Sequence, residues 1–314
     1  MNGATAPIVG IEPASVPEFE SANARAGTSG VSVIMVVYMT GEALKQSLAC
    51  VLADPLVEEF VIVDNGSKPS EAQRLADLAA REPRVKLITG HGNIGFARGA
   101  NLGARAATTD TFVFLNPDAF LQPGCLARLA DEIETRAVPA IVGGRVLNAD
   151  RTEQRGARRG DITPLTAVVS LGRLSRFAPG LRRYDIHWEA ELPPNEVTAV
   201  PTISGACFCM RRADFDAVDG FDEGYFLHVE DVDLCWRVRQ AGGEVLFHPK
   251  AEVVHLGHTS QTSPLRVEFH KGRGLVRFFR KRAQTGPQRL AALLLAPLVI
   301  AAAVARPLLG YSHS

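Results

Sequence analysis

Thr111-Phe112-Val113-Phe114-Leu115-Asn116-Pro117-Asp118-Ala119 is the stretch on which the reading of this chain turns. Its short apolar run has the character of a buried strand. The run stops at Asn116-Pro117-Asp118, where proline removes a ladder donor and forces a turn. Asp118 is therefore expected at the carboxyl end of a strand, the edge where open α/β sheets bind ligands. Taken alone, such an aspartate is more often a plain turn residue. Its meaning depends on what the rest of the chain brings to the same edge.

Upstream, residues 31–38 (VSVIMVVY) are almost continuously apolar, as in a strand buried on both faces of a parallel sheet. Residues 42–53 have helical spacing. Residues 59–63 form a second buried run that ends in Asp64-Asn65-Gly66-Ser67, and 70–81 predict an amphipathic helix. A third strand is expected over 85–89, then a glycine-rich loop over 90–95 and a small-residue helix over 96–107. After Asp118 a helix is expected over 125–135. This alternation predicts an α/β fold with a doubly wound, mainly parallel sheet.

The pattern loosens after Ile141, and residues 145–194 read as a long connection with short elements over a substrate cleft. Residues 197–211 are expected as a strand pair and 213–218 as a short helix. Residues 229–240 predict a helix that opens in Glu230, Asp231 and Asp233 and closes in Arg237 and Arg239, matching the helix dipole. Two short strands are expected, over 244–247 and 251–255.

At 314 residues the chain can bury a sizeable core. A hydrophobic fraction of 46% and a formal net charge of zero exclude a disordered or nucleic-acid-coating protein. The five cysteines are odd in number and scattered, which suits buried thiols in a reducing compartment. Residues 1–30 lack the apolar core of a secretion signal and read as a mobile tail.

Several polar clusters are expected at strand or loop ends. Asp64-Asn65-Gly66-Ser67 is either turn chemistry or a ligand contact. The glycine loop around Asn93 and Gly95 either cradles phosphate or takes tight backbone angles. Glu230 and Asp231 either serve the helix dipole or do chemistry. No Gly-x-Gly-x-x-Gly follows the first strand, which disfavours a dinucleotide oxidoreductase.

The joint order of these motifs resembles the family 2 glycosyltransferases of GT-A fold. The matching stretches are Val61-Ile62-Val63-Asp64-Asn65-Gly66-Ser67, Asn93-Ile94-Gly95-Phe96-Ala97 with Asn101, Leu115-Asn116-Pro117-Asp118 and Ser204-Gly205-Ala206. They continue in Gly220-Phe221-Asp222-Glu223, FLHVEDVDLCWR at 226–237, and His255-Leu256-Gly257-His258-Thr259-Ser260. Within the family the chain is most similar to bacterial rhamnosyltransferases of cell-surface polysaccharide synthesis.

The resemblance implies a Rossmann-like, mainly parallel mixed sheet and a metal-dependent, inverting transfer of one sugar from a nucleotide-diphosphate sugar. It implies donor contacts from Tyr38, Asp64, Asn65, Ser67, Asn93, Gly95, Phe96, Asn101 and Asn116, with Asp64 accepting from the base. Asp118 and His255 would hold Mg²⁺ or Mn²⁺, Asp231 would be the catalytic base with Glu230 beside it, and Ser204, Gly205, Ala206 and Trp236 would flank the acceptor. dTDP-L-rhamnose is the donor to which it points, with a UDP-hexose or UDP-N-acetylhexosamine as the alternative. A silent sugar-nucleotide-binding subunit is the alternative of another class. Two residues depart from the family pattern: Asn116 replaces the first aspartate of Asp-x-Asp, and Met39 stands where many relatives carry asparagine. A Gln-x-x-Arg-Trp motif is absent, which favours single addition over polymerisation.

From Arg266 onward, basic residues alternate with phenylalanines in one predicted helix, and 290–305 are apolar without charge. The basic helix suits an anionic membrane surface or a solvated face over a core stripe. The apolar run falls short of the roughly 20 residues of a typical span. It reads as a monotopic anchor, or else as a buried or oligomer-forming helix that would allow a homo-oligomer. The expected division is thus a tail over 1–30, a catalytic domain over 31–265 with nucleotide-binding (31–120) and acceptor-binding (121–265) halves, and a C-terminal extension over 266–314. A glycan or polyprenyl-linked acceptor at the cytoplasmic face of the cell membrane follows from the resemblance, with peripheral membrane contact.

Overall fold

Strand β1 (Val31–Val37) is buried on both faces: Val31, Val33, Met35 and Val37 join one core, Ile34 and Val36 the other. This is the two-residue period of a pleated strand. The computed structural model describes residues 30–171, 178–189, 191–257, 259–260 and 262–308. The tail expected over 1–30 lies outside them except for Gly30, as does His258 of the fourth-quarter motif.

Strands β2 (Val57–Asp64), β3 (Val85–Ile88) and β4 (Thr111–Leu115) continue the parallel sheet, in which β1 pairs with both β2 and β4. Helices α1 (Ala43–Ala53), α2 (Pro69–Arg81) and α3 (Phe96–Ala106) connect them. β4 ends three residues before Asp118. Asn116, Pro117 and Asp118 form the turn into β5 (Ala119–Leu121), which is followed by α4 (Cys125–Glu134).

The second half departs from the sequence reading in three places. Residues 140–147 form β6 (Ala140–Leu147), a strand inside the sheet where the apolar pattern is interrupted by Gly143-Gly144-Arg145. Next come β7 (Arg158–Arg159) and α5 (Pro164–Leu171). Residues 197–211 are not a strand pair. They yield β8 (Thr198–Ala199), β9 (Thr202–Ile203) and β10 (Cys207–Arg211), none of which pairs with another of the three. Following α6 (Arg212–Ala217) and α7 (Glu230–Gln240), the two short strands expected over 244–255 are one, β11 (Glu244–His255). Its register shifts between His248 and Glu252, across Pro249, which cannot donate to the ladder.

The order β3-β2-β1-β4-β10-β6-β11-β5, with β8 against β11, makes one nine-stranded mixed sheet among the described residues. β10 runs antiparallel between β4 and β6, so it joins the two halves. Leu44, Val51, Leu75, Leu126 and Leu129 place α1, α2 and α4 on one face. Ala97, Ala100, Phe215, Val232 and Phe278 place α3, α6, α7 and α8 (Pro264–Arg282) on the other.

The basic helix α8 is held to this body by ion pairs. Arg277 and Lys281 meet Asp222 at 2.7 and 2.9 Å, and Arg282 meets Asp161 at 2.9 Å. Asp233 is fully buried and receives Arg237 at 2.6 Å as well as Lys281 at 2.9 Å, a structural role as expected of a helix carboxylate. Helix α9 (Gly286–Leu308) outruns the apolar run read from sequence. Its segment Gly286–Ala305 is long and apolar enough to cross a membrane by length and composition. α9 crosses α8 at Gly272, where a Cβ would lie 3.0 Å from the Ile300 Cα, so any larger residue would push the helices apart by a few tenths of an ångström.

Candidate active site

The carboxyl edge of β1, β2 and β4 opens on a cleft of about 2400 Å³. At one end of it, β2 stops in Asp64, whose buried Oδ1 accepts from the Gly66 and Ser67 amides at 3.1 and 2.8 Å. One oxygen is thus occupied in shaping the turn. The other lies 3.5 Å from the Thr89 hydroxyl. Asn65 Nδ2 donates to the Gly95 carbonyl at 2.9 Å, and the Gly95 amide donates to Asn93 Oδ1 at 3.0 Å. Gly95 has φ +87°, and a Cβ there would lie 2.7 Å from the Phe226 carbonyl, so only glycine fits. The Phe96 amide donates to that same carbonyl at 2.8 Å. Asn65 Oδ1 is buried without a hydrogen-bond partner among the described residues, an acceptor available to a ligand on the cleft wall.

At the next station, β11 ends beside β5, which pairs His255 with Ala119 and brings the imidazole to Asp118. Asp118 Oδ1 lies 3.1 Å from His255 Nε2, and Oδ2 accepts from the Thr259 hydroxyl at 2.9 Å. The Gln154 amide oxygen accepts from His255 Nδ1 at 2.7 Å, and Gln154 Nε2 donates to the His255 carbonyl at 2.9 Å. An amide oxygen only accepts, so Nδ1 carries a proton, and Nε2 faces Asp118 and the Asn116 amide, 3.3 Å away. Burial opposes the charge on Asp118, yet the His255 ring and the Thr259 hydroxyl hold its carboxyl below the usual range. Oxygen and imidazole donors with an oriented second shell fit a divalent ion. No third His, Cys, Asp or Glu joins them among the described residues. Remaining ligands must come from a bound anion and water.

The third station is the start of α7. His228 and Val229 take positive φ angles of 65° and 74°, unusual for any side chain and most of all for a β-branched one. Asp231 Oδ1 accepts from the Val232 amide at 2.8 Å and Oδ2 from the Gly205 amide at 3.2 Å. Arg159 on β7 makes a short contact with the same carboxylate and donates to the Ile203 carbonyl at 2.8 Å. Burial works against the Asp231 charge, but Arg159 and the two amides hold its carboxyl below the usual range. Glu230 behaves oppositely. Burial, reinforced by the negative charge of Asp231, pushes its carboxyl well above that range, and its Oε2 is unpartnered among the described residues. At neutral pH the pair carries one negative charge, on Asp231.

Tyr38, Asn65, Asn93, Gly95, Phe96, Asn116, Asp118, Asp231 and His255 line this one cleft. Other candidates stand behind it. Asn101 is buried and ties α3 to the Gly220–Glu223 turn, donating to the Phe221 carbonyl at 2.8 Å and accepting from its amide at 2.9 Å. Asp64 and Ser67 shape the turn after β2. Ser204 caps its own loop through the Ala206 amide at 3.2 Å, and the Ala206 carbonyl accepts from the Asn116 amide at 2.9 Å. Gly205 meets the acceptor region only through Asp231. Trp236 packs edge-on against Phe278 at 6.1 Å, on the α8 side. Arg159 and Gln154, both on the cleft wall, were not singled out from sequence.

Arg159 supplies a testable signature. Replacing it with methionine removes the cation that favours the charged form of Asp231, so the carboxyl rises and needs a higher pH to ionise. The acid limb of the kcat/KM profile should move up by about one to three pH units. An unmoved limb would show that the reaction does not sense this pair.

The family model described as glycosyl transferase family 2 matches residues 32–218, and one described as the N-terminal domain of galactosyltransferase matches 190–259. The chain is 29% identical over 243 residues to an N-acetylglucosaminyl-diphospho-decaprenol L-rhamnosyltransferase of Mycobacterium tuberculosis, covering 73% of this chain and 76% of that protein. It is 24% identical over 240 residues to rhamnosyltransferase WbbL of Escherichia coli, covering 74% of this chain and 86% of that protein. Among solved structures, the mannosyltransferase PcManGT of Pyrobaculum calidifontis, in complex with GDP-Man and Mn²⁺, superposes with a TM-score of 0.56 at 17% identity. That match covers 90% of this chain and 76% of that one.

Proposed function

Because the chain belongs to glycosyl transferase family 2 and has the GT-A fold, we propose that this glycosyltransferase moves one L-rhamnosyl unit from dTDP-L-rhamnose to a polyprenyl-linked saccharide in cell-surface polysaccharide synthesis, with inversion. The observation that carries the reading is an ionised Asp231 in the same cleft as the Asp118–His255 pair. The rhamnosyltransferase relatives support the sugar, and the decaprenol-linked name of one supports the acceptor class.

The donor nucleotide sits over the β2 turn, with Asn65 Oδ1 and the loop from Asn93 to Phe96 against it. Asp118 and His255 would hold Mg²⁺ or Mn²⁺, which when bound would supply positive charge to offset that of the departing diphosphate. Asp231 accepts the proton of the acceptor hydroxyl as that oxygen bonds to the anomeric carbon. Glu230, already protonated, cannot compete for it. One base opposite one leaving group gives a single displacement with inversion. The arrangement of Val232 and Gly205 amides fixes the Asp231 carboxylate so that one lone pair faces the cleft. The apolar helix α9 supports association with the membrane, and the nucleotide-sugar donor is the reason for proposing its cytoplasmic face.

A panel of nucleotide sugars tests this reading by thermal shift with and without Mn²⁺. dTDP-L-rhamnose with Mn²⁺ should raise Tm more than any UDP- or GDP-sugar. A larger shift with a UDP-hexose would replace the donor assignment, and no shift with any donor would overturn the reading.

A further inference from the structure

Helix α9 presents three faces. Ile300 and Ala303 meet Gly272 of α8, where the two helices cross. Leu290, Leu293 and Leu294 are between 57% and 66% exposed and point away from the body. The third face, carrying Ala291, Leu295, Leu298, Val299 and Ala302, recurs at spacings of three and four residues and lines the same cleft as Asp231. An anchor needs only the outward face. The inward stripe therefore has a separate task, and Leu295 and Leu298 on it are themselves 42% and 65% exposed.

What lies between the stripe and Asp231 narrows the occupant. Arg266, His270 and Lys271 of α8 line the same cleft. His270 stacks on Phe226 at 4.4 Å, and the Phe226 carbonyl receives the Phe96 amide at 2.8 Å, so this cationic wall adjoins the donor loop. Burial and the nearby Arg273 and Arg266 keep the His270 ring toward its neutral form, so the basic groups here are Arg266 and Lys271, with the buried Glu268 between them on the same wall. A cleft of about 2400 Å³ is also more than twice the roughly 300–1,000 Å³ of a pocket for one small ligand. Base, basic residues and apolar stripe all line a single cavity. A molecule that matches all three carries a hydroxyl, an anionic phosphate group and a long apolar chain.

We propose that the inward stripe of α9 binds the isoprenoid chain of the acceptor, with Arg266 and Lys271 on its diphosphate. This deepens the proposed function and rests on its lipid-linked acceptor. The helix then has a divided use: its outward face lies in the membrane and its inward face receives the tail of a lipid drawn from that membrane.

The test is binding of geranylgeranyl diphosphate and of inorganic pyrophosphate to the full chain, by calorimetry in EDTA. The unaltered protein should bind geranylgeranyl diphosphate more tightly than pyrophosphate. Leu295→Ser with Leu298→Ser should weaken the isoprenyl ligand by about tenfold, a modest share of two leucine contacts, and leave pyrophosphate unchanged. Leu290→Ser with Leu293→Ser should leave the preference intact and lower partition onto vesicles of anionic lipid. Arg266→Gln with Lys271→Gln should weaken both ligands. Equal affinity for the two ligands in the unaltered protein would overturn the proposal. Loss of vesicle partition in the inward variant, with its preference kept, would assign the stripe to the bilayer. A change of sedimentation from dimer to monomer in that variant would assign it to a second copy. The nucleotide-sugar shift does not involve α9, so it fails or holds independently of this site.

Discussion

Asp231→Asn should lower transfer by about a hundredfold to ten-thousandfold, the range that a positioned base contributes. The amide keeps the shape and can still accept from the Val232 or Gly205 amide, but it cannot take a proton from the acceptor. Glu230 is not expected to rescue the variant, because burial, the larger cause, holds its carboxyl well above the usual range. Removing the neighbouring negative charge lowers the Glu230 carboxyl, yet its burial, the larger cause of the shift, remains. Arg159 loses its ionic partner, so some destabilisation is expected, since an unpaired buried cation is costly. A Tm measurement separates that loss from the catalytic one. Donor-induced thermal shift should persist, because Asp231 lies across the cleft from the donor loop. Transfer near the unaltered rate would remove Asp231 from the role of base.

Asp118→Ala should abolish the part of donor binding that depends on metal. Among the described residues the site has one carboxylate and one imidazole, so this change removes the only negatively charged protein ligand. The Mn²⁺ concentration giving half of the donor-induced shift should rise by at least about tenfold, since hard cations bind chiefly through anionic oxygen. His255 should stay oriented, because Gln154 holds it from the other side at 2.7 Å. A Mn²⁺ titration that does not move would refute the assignment, whatever happens to activity.

The carboxyl edge of the parallel strands was legible because its elements are local. Each parallel strand is a short apolar run followed by its own turn and helix, and Asp64, the glycine loop and Asp118 follow in chain order. The rest was hidden for identifiable reasons. β6 contains two adjacent glycines and an arginine, so its apolar signal breaks in mid-strand. β11 contains Pro249, which reads as a strand end although the ladder resumes beyond it. β8, β9 and β10 are too short to declare partners, and their pairing is decided at long range. Arg159 and Gln154 lie in the stretch without a period, where a polar side chain looks the same in sequence whether it meets water or a buried carboxylate. Asn101, which the resemblance puts among the donor contacts, has a structural task that no sequence pattern shows: its amide spans α3 and the turn at Phe221. Met39, where relatives carry asparagine, has φ 49°, a conformation that asparagine tolerates more readily than methionine.

β10 has a mechanical consequence. Enzymes that close by swinging one half onto the other need a joint that bends at little cost. Here β10 is hydrogen-bonded on one side to β4 and on the other to β6, so the halves that carry Asp64 and Asp231 share a continuous ladder. A swing between them would tear backbone bonds at the middle of the sheet. Shielding the reaction from water therefore falls to the segments at the margin: the connection that carries Gln154 and Arg159, and the α8–α9 hairpin.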